Sequence, residues 1–144
     1  MIDGSFTGYT DRATVLCIDD DPQVTELIAL RLARYHLDVL RASYGMQGLW
    51  IACTNAPDLI ITDMRMPQGG GNYIIERLRY NAATHAVPVI VLTGQGDPCL
   101  EATARSFGIL AFLTKPVRFD DLLAAIQKVI PLCDPDSEEL EFGT

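Results

Sequence analysis

The sequence has few of the features that mark secreted, membrane-bound or cysteine-ligated metal proteins. Its four cysteines lie far apart and include no C-x-x-C pair, which argues against a zinc site and a dense disulfide framework. No apolar run reaches the length of a membrane span, and the first eleven residues lack the basic and apolar regions of a signal peptide. The sequence therefore predicts a cytoplasmic protein with no membrane partner.

Positive charge is also scarce. The 144 residues include 11 lysines and arginines against 19 aspartates and glutamates, which gives a formal net charge of −8. The phosphate backbone of nucleic acids repels a chain this acidic, so we expect no direct nucleic-acid partner. Part of the acidic excess is expected to be functional, because a bound cation would neutralise several carboxylates.

Along the chain, strand-like and helix-like segments alternate from Thr14 to Pro131. This alternation is typical of βα units and predicts an α/β domain with a parallel sheet. A chain of this length fits one domain with a substantial core. We expect an N-terminal extension at 1–13, a folded domain at 14–131 and an acidic tail at 132–144.

Turn and capping residues predict where several helices begin and end. The first helix is expected to begin at Pro22, because Asp21 is a good N-cap and proline is favoured at the first helical position. The second is expected to run from Gly45 to Cys53. The fourth is expected to run from Pro98 to Phe107 and to stop at Gly108, a residue that commonly follows helix ends.

Four short apolar runs each end in a residue that suits a phosphoryl group beside a metal ion. Each run has the length of a strand and stops at polar or turn residues. If the runs are parallel strands of one sheet, their ends meet at the edge where open α/β sheets place their sites. The runs are Val15–Ile18 before Asp19-Asp20-Asp21, Leu59–Thr62 before Asp63, Val89–Leu92 before Thr93, and Ala111–Thr114 before Lys115-Pro116.

The residue types at these ends suit phosphoryl transfer to an aspartate. An aspartate can carry a phosphoryl group covalently, but bringing that anion to about 4 Å from a carboxylate costs roughly 4 kcal/mol per unit pair at an effective dielectric constant of 20. A divalent cation is therefore needed, and Mg²⁺ binds carboxylates, water and phosphoryl oxygens together. We expect Asp20 and Asp63 as direct ligands and Asp19 as a ligand through water. Lys115 would face one phosphoryl oxygen with its positive charge, and Thr93 would donate its hydroxyl to another.

Four segments, in this order and at this spacing, carry a resemblance to a known family. They are Asp19-Asp20, Asp63-Met64-Arg65-Met66-Pro67, Thr93-Gly94 and Lys115-Pro116. They resemble the receiver domain of bacterial response regulators in two-component signalling, over about residues 14–130. The resemblance implies a flavodoxin-like doubly wound sheet of five parallel strands, in the order 2-1-3-4-5, with helices on both faces. It also implies a regulatory phosphoacceptor rather than an enzyme, with Asp63 phosphorylated by a sensor histidine kinase or a phosphotransfer protein, and a downstream protein partner.

The same resemblance implies roles for two further residues. In such receivers the residue two after the acceptor, here Arg65, gives its backbone carbonyl to the metal. An aromatic residue stands three positions before the lysine, here Phe112. Thr93 moving toward the phosphoryl group would let this ring turn inward and reshape the face formed by the fourth helix, the fifth strand and the fifth helix.

The sequence departs from the family pattern at three places. Phe112 lacks the tyrosine hydroxyl that is common at its position, so a switch here would depend on packing alone. Residues 109–111 are Ile-Leu-Ala instead of acidic, so we do not expect the salt-bridged dimer of that face. The glycine-rich loop at 68–71 is predicted to be mobile.

Other functions are compatible with parts of the pattern. Asp19-Asp20-Asp21 fits the D-x-D run of a small phosphatase of the haloacid-dehalogenase type, with Asp19 as the nucleophile, although this leaves Asp63 without a role. A receiver-shaped adaptor that is never phosphorylated is a third possibility. Asp21 is better explained as a helix cap, and Phe112 fits an ordinary core residue as well as it fits a switch.

Overall fold

The computed structural model describes residues 12–65, 72–94 and 98–133, within which strands and helices alternate. The strands are β1 (Thr14–Ile18), β2 (Asp38–Ala42), β3 (Leu59–Thr62), β4 (Val89–Thr93) and β5 (Ala111–Thr114), and the helices are α1 (Pro22–Ala33), α2 (Gly45–Asn55), α3 (Asn72–Tyr80), α4 (Pro98–Ser106) and α5 (Phe119–Gln127). The strands form one parallel sheet in the order β2-β1-β3-β4-β5. The predicted α/β fold and its strand order are thereby confirmed.

The three central strands, β1, β3 and β4, are almost completely buried. They are aliphatic and β-branched with few polar interruptions, as expected for parallel strands that helices cover on both faces. The edge strands β2 and β5 are only partly buried. Charged Asp38 and Arg41 on β2 discourage the pairing of this edge with another strand.

Alternate residues of the central strands supply two separate apolar layers, because successive side chains of a strand point to opposite faces. One layer lies under α1 and α5 and includes Val15, Cys17, Leu59, Ile61, Ile90 and Leu92 from the strands, with Ile28, Leu32, Leu122 and Ile126 from the helices. The other lies under α2, α3 and α4 and includes Leu16, Ile18, Ile60, Val89 and Val91, with Ala52, Ile74, Ile75, Leu78 and Ala104. Both layers hold the strands, and therefore their polar ends, in a fixed arrangement.

The predicted ends of α1 and α4 agree closely with the structure. Asp21 caps α1 by accepting a hydrogen bond at its Oδ1 from the backbone N–H of Gln23, at 3.0 Å, and Pro22 is the first helical residue. α4 ends at Ser106, one residue earlier than predicted. Gly108 follows in the left-handed region, with φ of +78°, a conformation that glycine adopts without a steric penalty.

The predicted end of α2 was wrong by two residues. The helix continues past Cys53 to Asn55 and stops where Ala56 takes the left-handed conformation, with φ of +47°. The side-chain amide of Asn55 donates to the carbonyl of Ile51, at 3.1 Å. This bond adds a side-chain donor to a carbonyl of the last turn, and a sequence pattern gives no sign of it.

Several predictions fall outside the described residues. They are the mobility of the loop at 68–71, the acidic tail from residue 134 and most of the N-terminal extension. Across 12–65, 72–94 and 98–133, no helix is both long enough and apolar enough to cross a membrane.

Close contact between α2 and β1 depends on Gly48. A Cβ atom placed on Gly48 would lie 2.4 Å from Cδ1 and 2.7 Å from Cγ1 of Ile18. The helix therefore approaches the last residue of β1 more closely than any side chain would allow. Since Asp19 follows Ile18 directly, this contact supports the position of the first acidic residue.

We expect Gly48→Ala to lower the free energy of unfolding by up to about 2 kcal/mol, because an overpacking cost of about 1–3 kcal/mol against Ile18 outweighs the gain of about 1 kcal/mol that alanine brings to a helix interior. Urea unfolding measures the change. Combining it with Ile18→Val, which removes Cδ1, should cost less than the sum of the two single changes. A Gly48→Ala variant as stable as the unmodified chain would contradict this account.

Candidate functional site

The polar residues that follow four strands meet at one edge of the sheet. Asp19 follows β1, Asp63 follows β3, Thr93 ends β4, and Lys115 follows β5. The register pairs Ile18 with Thr62, so Asp19 and Asp63 stand side by side. Thr93 and Lys115 lie one and two positions further along their own strands, at the same edge of the sheet. Open α/β sheets bind their ligands at this carboxyl edge.

Backbone hydrogen bonds extend the sheet just far enough to hold these residues. Asp63 donates its N–H to the carbonyl of Ile18, at 3.0 Å, and Lys115 donates its N–H to the carbonyl of Thr93, at 2.7 Å. The main chain at each site residue is therefore fixed by its neighbouring strand. Only the side chains have freedom to adjust.

The ammonium group of Lys115 bridges two carboxylates. Its Nζ lies 2.6 Å from Oδ2 of Asp19 and 3.3 Å from Oδ2 of Asp63. Only 3% of Asp19 and 7% of Asp63 are exposed to solvent. Hydrogen bonds between oppositely charged groups are stronger than neutral ones, so this bridge joins β1, β3 and β5 at their ends.

Backbone N–H groups orient the remaining oxygens of both buried carboxylates. Oδ1 of Asp19 accepts from the N–H of Asp21, at 2.9 Å, and Oδ1 of Asp63 accepts from the N–H of Arg65, at 3.2 Å. These two donors could not be predicted from the sequence, because the main chain of any residue could supply them. The role predicted for the backbone carbonyl of Arg65 is a separate one, which these contacts do not test.

Three carboxylates lie close enough to share a cation. Asp19, Asp20 and Asp63 each offer one oxygen, and these oxygens lie within 4.8 Å of one another. Asp19 and Asp63 are buried whereas Asp20 is exposed, so the cluster opens to water on one side. Mg²⁺ binds few protein carboxylates and keeps several waters. The donor set and its open side fit that ion, and one lysine leaves the three negative charges only partly compensated.

Burial and charge shift the acidities of the two bridged partners. Burial raises the pKa of Asp19 above its ordinary value, although the hydrogen bond from Lys115 lowers it in part. Burial by itself would lower the pKa of Lys115, but the hydrogen bonds and negative charges of Asp19 and Asp63 outweigh it and leave this pKa raised. Lys115 therefore stays protonated at neutral pH.

Below the site, burial and the charge of Asp19 raise the pKa of Cys17 to about 12. The thiol is neutral at physiological pH and behaves as a small apolar side chain, as its place in β1 predicted. It contributes packing rather than chemistry.

The hydroxyl of Thr93 is buried without a hydrogen-bond partner among the described residues. Only 1% of this residue is exposed. Leaving a buried hydroxyl without a hydrogen bond costs free energy. An unpaired hydroxyl at the same sheet edge as the bridged carboxylates therefore points to a missing hydrogen-bond acceptor. An oxygen-rich ligand at the site would accept this hydrogen bond.

Phe112 lies on β5, half-buried, and packs against the layer under α2, α3 and α4. It is not part of the polar cluster. Its position is compatible with both interpretations of the sequence, a switching ring and a core residue.

An apolar cavity of about 500 Å³ lies beside the site and was not predicted. Leu27 and Ile28 of α1, with Leu92 and Val117, supply most of its wall, and Lys115 lies at its rim. No sequence pattern indicates this cavity, because its walls come from segments that are distant along the chain.

Comparison with known proteins shows extensive similarity. The family model described as response regulator receiver domain matches residues 15–127. The transcriptional regulator RpaA of Synechocystis is 32% identical over 83% of this chain and 50% of RpaA, and PilH of Pseudomonas aeruginosa is 30% identical over 82% of this chain and 98% of PilH. The structure of the chemotaxis protein CheY4 of Vibrio cholerae aligns with a TM-score of 0.77 and 26% identity, covering 83% of this chain and all of CheY4. This chain thus spans half of RpaA and nearly the full length of PilH and CheY4.

We expect Thr93→Val to raise the free energy of unfolding by roughly 1 kcal/mol, because it replaces an unpaired buried hydroxyl with a methyl group of similar size. Thr93→Ser is the matched control, since it keeps the hydroxyl and loses a methyl group, and it should be less stable by roughly 1 kcal/mol. Urea unfolding compares the three proteins. Greater loss in the valine variant than in the serine variant would mean that the hydroxyl has a partner after all.

We expect Asp19→Asn to stabilise the metal-free protein at pH 7. The raised pKa of Asp19 means that its ionisation costs more in the folded than in the unfolded chain, and asparagine removes this cost. This cost of ionisation applies at pH values above the pKa of Asp19 in the folded chain. It disappears as the pH falls from that raised pKa to the ordinary pKa of an aspartate. The stability difference between variant and unmodified chain, measured by urea unfolding, should therefore shrink from pH 7 to pH 4. A difference that grows over this range would contradict the assignment.

Proposed function

Because this chain belongs to the response regulator receiver domain family, we propose that it accepts a phosphoryl group on Asp63 with Mg²⁺ and passes the signal on through a protein contact. The proposed receiver unit is 14–131, which encloses the matched residues 15–127. Asp19, Asp20 and Asp63 would hold the metal, with the backbone carbonyl of Arg65.

One observation carries the proposal. The carboxylate of Asp63 contacts a lysine ammonium at 3.3 Å and belongs, with Asp19 and Asp20, to an acidic cluster of the kind that binds a divalent cation. A nucleophilic carboxylate needs compensation of its own charge and of the incoming anion. Lys115, together with a cation held by this cluster, would supply that compensation.

The chemistry is the transfer of a phosphoryl group from an oxygen or nitrogen atom of the donor to an oxygen of Asp63. An oxygen of Asp63 forms a bond to phosphorus while the bond from phosphorus to the donor breaks, and the donor leaves with that electron pair. Mg²⁺, when bound, neutralises charge on the phosphoryl oxygens. Lys115, which already contacts Oδ2 of Asp63, would bind another of these oxygens as the group arrives.

Thr93 is the proposed sensor of the phosphoryl group. Its buried hydroxyl has no partner among the described residues, so a phosphoryl oxygen would provide the acceptor that it lacks. The gain is specific to the phosphorylated state, which is the requirement for shifting a conformational equilibrium. Movement of Thr93 would reach β5 through its partner Thr114, which lies two residues after Phe112 on the same strand.

The proposed output surface is the face formed by α4, β5 and α5. Phe112 is half-buried there, and the residues before it, Ile109, Leu110 and Ala111, are half-buried and apolar. Any change on this face would therefore alter apolar packing rather than salt bridges. The proposed downstream partner is a protein whose binding to this face depends on that packing.

The proposed phosphoryl donors are a sensor histidine kinase or a phosphotransfer protein. The apolar cavity beside Lys115 supports a protein donor, because a partner side chain seated there would lie next to the phosphoryl acceptor. Leu27 at its wall is 56% exposed. An exposed leucine beside a reactive site is available for contact with a partner.

The phosphatase alternative fits these contacts less well. It would use Asp19 as nucleophile and Asp21 as the second acid of D-x-D. Asp21 instead caps α1 through Gln23, and Oδ2 of Asp19 is engaged by Lys115 at 2.6 Å. The contact from Lys115 to Asp63 is longer, at 3.3 Å, so the carboxylate of Asp63 is less tightly held than that of Asp19.

We expect incubation with acetyl phosphate and Mg²⁺ to add one phosphoryl mass to the protein, and Asp63→Asn to abolish the addition, because the amide is not a nucleophile. Intact mass spectrometry measures the product. Asp21→Asn is the matched control, since asparagine keeps the helix cap, and it should be labelled like the unmodified chain. Labelling of Asp63→Asn together with loss in Asp19→Asn would favour the phosphatase instead, and no labelling of any protein would favour an unphosphorylated adaptor.

A further inference from the structure

Large apolar side chains are exposed on one side of the molecule, on two adjacent helices. Met46 and Trp50 project from α2, with 44% and 67% of their surfaces exposed, and Tyr73 and Tyr80 project from α3, with 47% and 75% exposed. These four residues define what we term the α2–α3 face. The phosphorylation site does not use any of them.

The two helices of the α2–α3 face lie side by side. Met46 and Trp50 are four residues apart, so they lie one above the other on α2. The two helices pack on the same apolar layer of the sheet, and the amide of Asn81, the residue after α3, donates to Sγ of Cys53 on α2, at 3.4 Å. The exposed side chains of both helices thus lie on the same side of the sheet.

Charge distinguishes this surface from the rest of the protein. Among the helices that the structure describes, α2 alone has no charged residue, whereas the whole chain has a formal net charge of −8. The exposed charges of α3 are Glu76 and Arg77, which balance each other, and Arg79 donates to backbone carbonyls of its own chain. A second copy of this acidic chain would therefore meet less repulsion here than elsewhere.

We infer that the α2–α3 face is a self-association surface, on which a second copy of this chain binds about a two-fold axis. In such a contact the same residues serve both copies. With the two α2 helices antiparallel, Met46 of each copy meets Trp50 of the other, a favourable sulfur–aromatic pairing. Glu76 of each copy likewise faces Arg77 of the other.

The exposed area makes this association weak. An aromatic side chain offers about 150–250 Å² for burial, so the exposed fractions of the four residues give on the order of 400–500 Å² per copy. Two copies would bury roughly 800–1,000 Å², below the range of stable interfaces. The dimer should therefore form only at high protein concentration, and it should not require phosphorylation.

Sedimentation velocity from about 10 µM to about 1 mM protein tests the inference in this weak-binding range, with a reductant present because Cys99 and Cys133 are exposed. The unmodified chain should shift toward a dimer as its concentration rises. Trp50 is the only tryptophan, so its emission should move to shorter wavelength over the same range. Higher salt should strengthen the association, because it screens the repulsion between two acidic copies.

Met46→Glu and Tyr80→Glu should each weaken association at least about tenfold, because each buries an unpaired charge in the contact. Leu30→Glu is the matched control: it places the same charge at an apolar position of α1 that is 63% exposed, and it should associate like the unmodified chain. Circular dichroism verifies that each variant is folded.

Three results would overturn the inference. They are a monomer throughout the concentration range, a dimer that survives both Met46→Glu and Tyr80→Glu, and a dimer lost in Leu30→Glu. Asp63→Asn should dimerise normally, so failure of the proposed phosphorylation leaves this test intact. A dimer that forms only with beryllofluoride and Mg²⁺ would also contradict a surface that is independent of the site.

Discussion

The position of the Lys115 ammonium between two buried carboxylates is the constraint on which the rest of this structure depends. Asp19 and Asp63 have little contact with water, so their mutual repulsion is poorly screened and their charges need a compensating group. Lys115 reaches both, at 2.6 and 3.3 Å, only because β1, β3 and β5 end at the same edge of the sheet. The fold thereby brings together residues that are 96 and 52 positions apart in the chain.

This arrangement lowers the stability of the folded chain. Burial raises the pKa of Asp19, which means that its negative charge is costly in the folded state, and the buried hydroxyl of Thr93 lacks a partner among the described residues. Both costs would be relieved by ligands, a cation for the carboxylates and a phosphoryl oxygen for the hydroxyl. Ligands that relieve these costs would stabilise the liganded conformation relative to the free one, and such a difference is what shifts a conformational equilibrium.

Most of the architecture could be predicted from local patterns. Strands β1, β3 and β4 are short, aliphatic and flanked by turn residues, and helices of ordinary length separate them, so a parallel sheet was the natural prediction. The cap at Asp21 is a local interaction and was predicted as well. The end of α2 was predicted two residues too early. The side chain of Asn55 bonds to the carbonyl of Ile51, and a sequence pattern does not show whether this residue continues the helix or begins the turn. The strand order followed from family resemblance, since periodicity does not specify which strands pair.

The sequence by itself determined which residue types stand at the strand ends, and therefore that two acids, a hydroxyl and a lysine would share one edge. Local chemistry is sufficient for this, because strand ends and helix starts are set by neighbouring residues. Only the tertiary structure decided that one ammonium serves both carboxylates, that the hydroxyl of Thr93 has no hydrogen-bond partner among the described residues, and that a cavity opens beside Lys115. These features depend on distances between distant segments to within an ångström, and such distances result from the packing of the whole core.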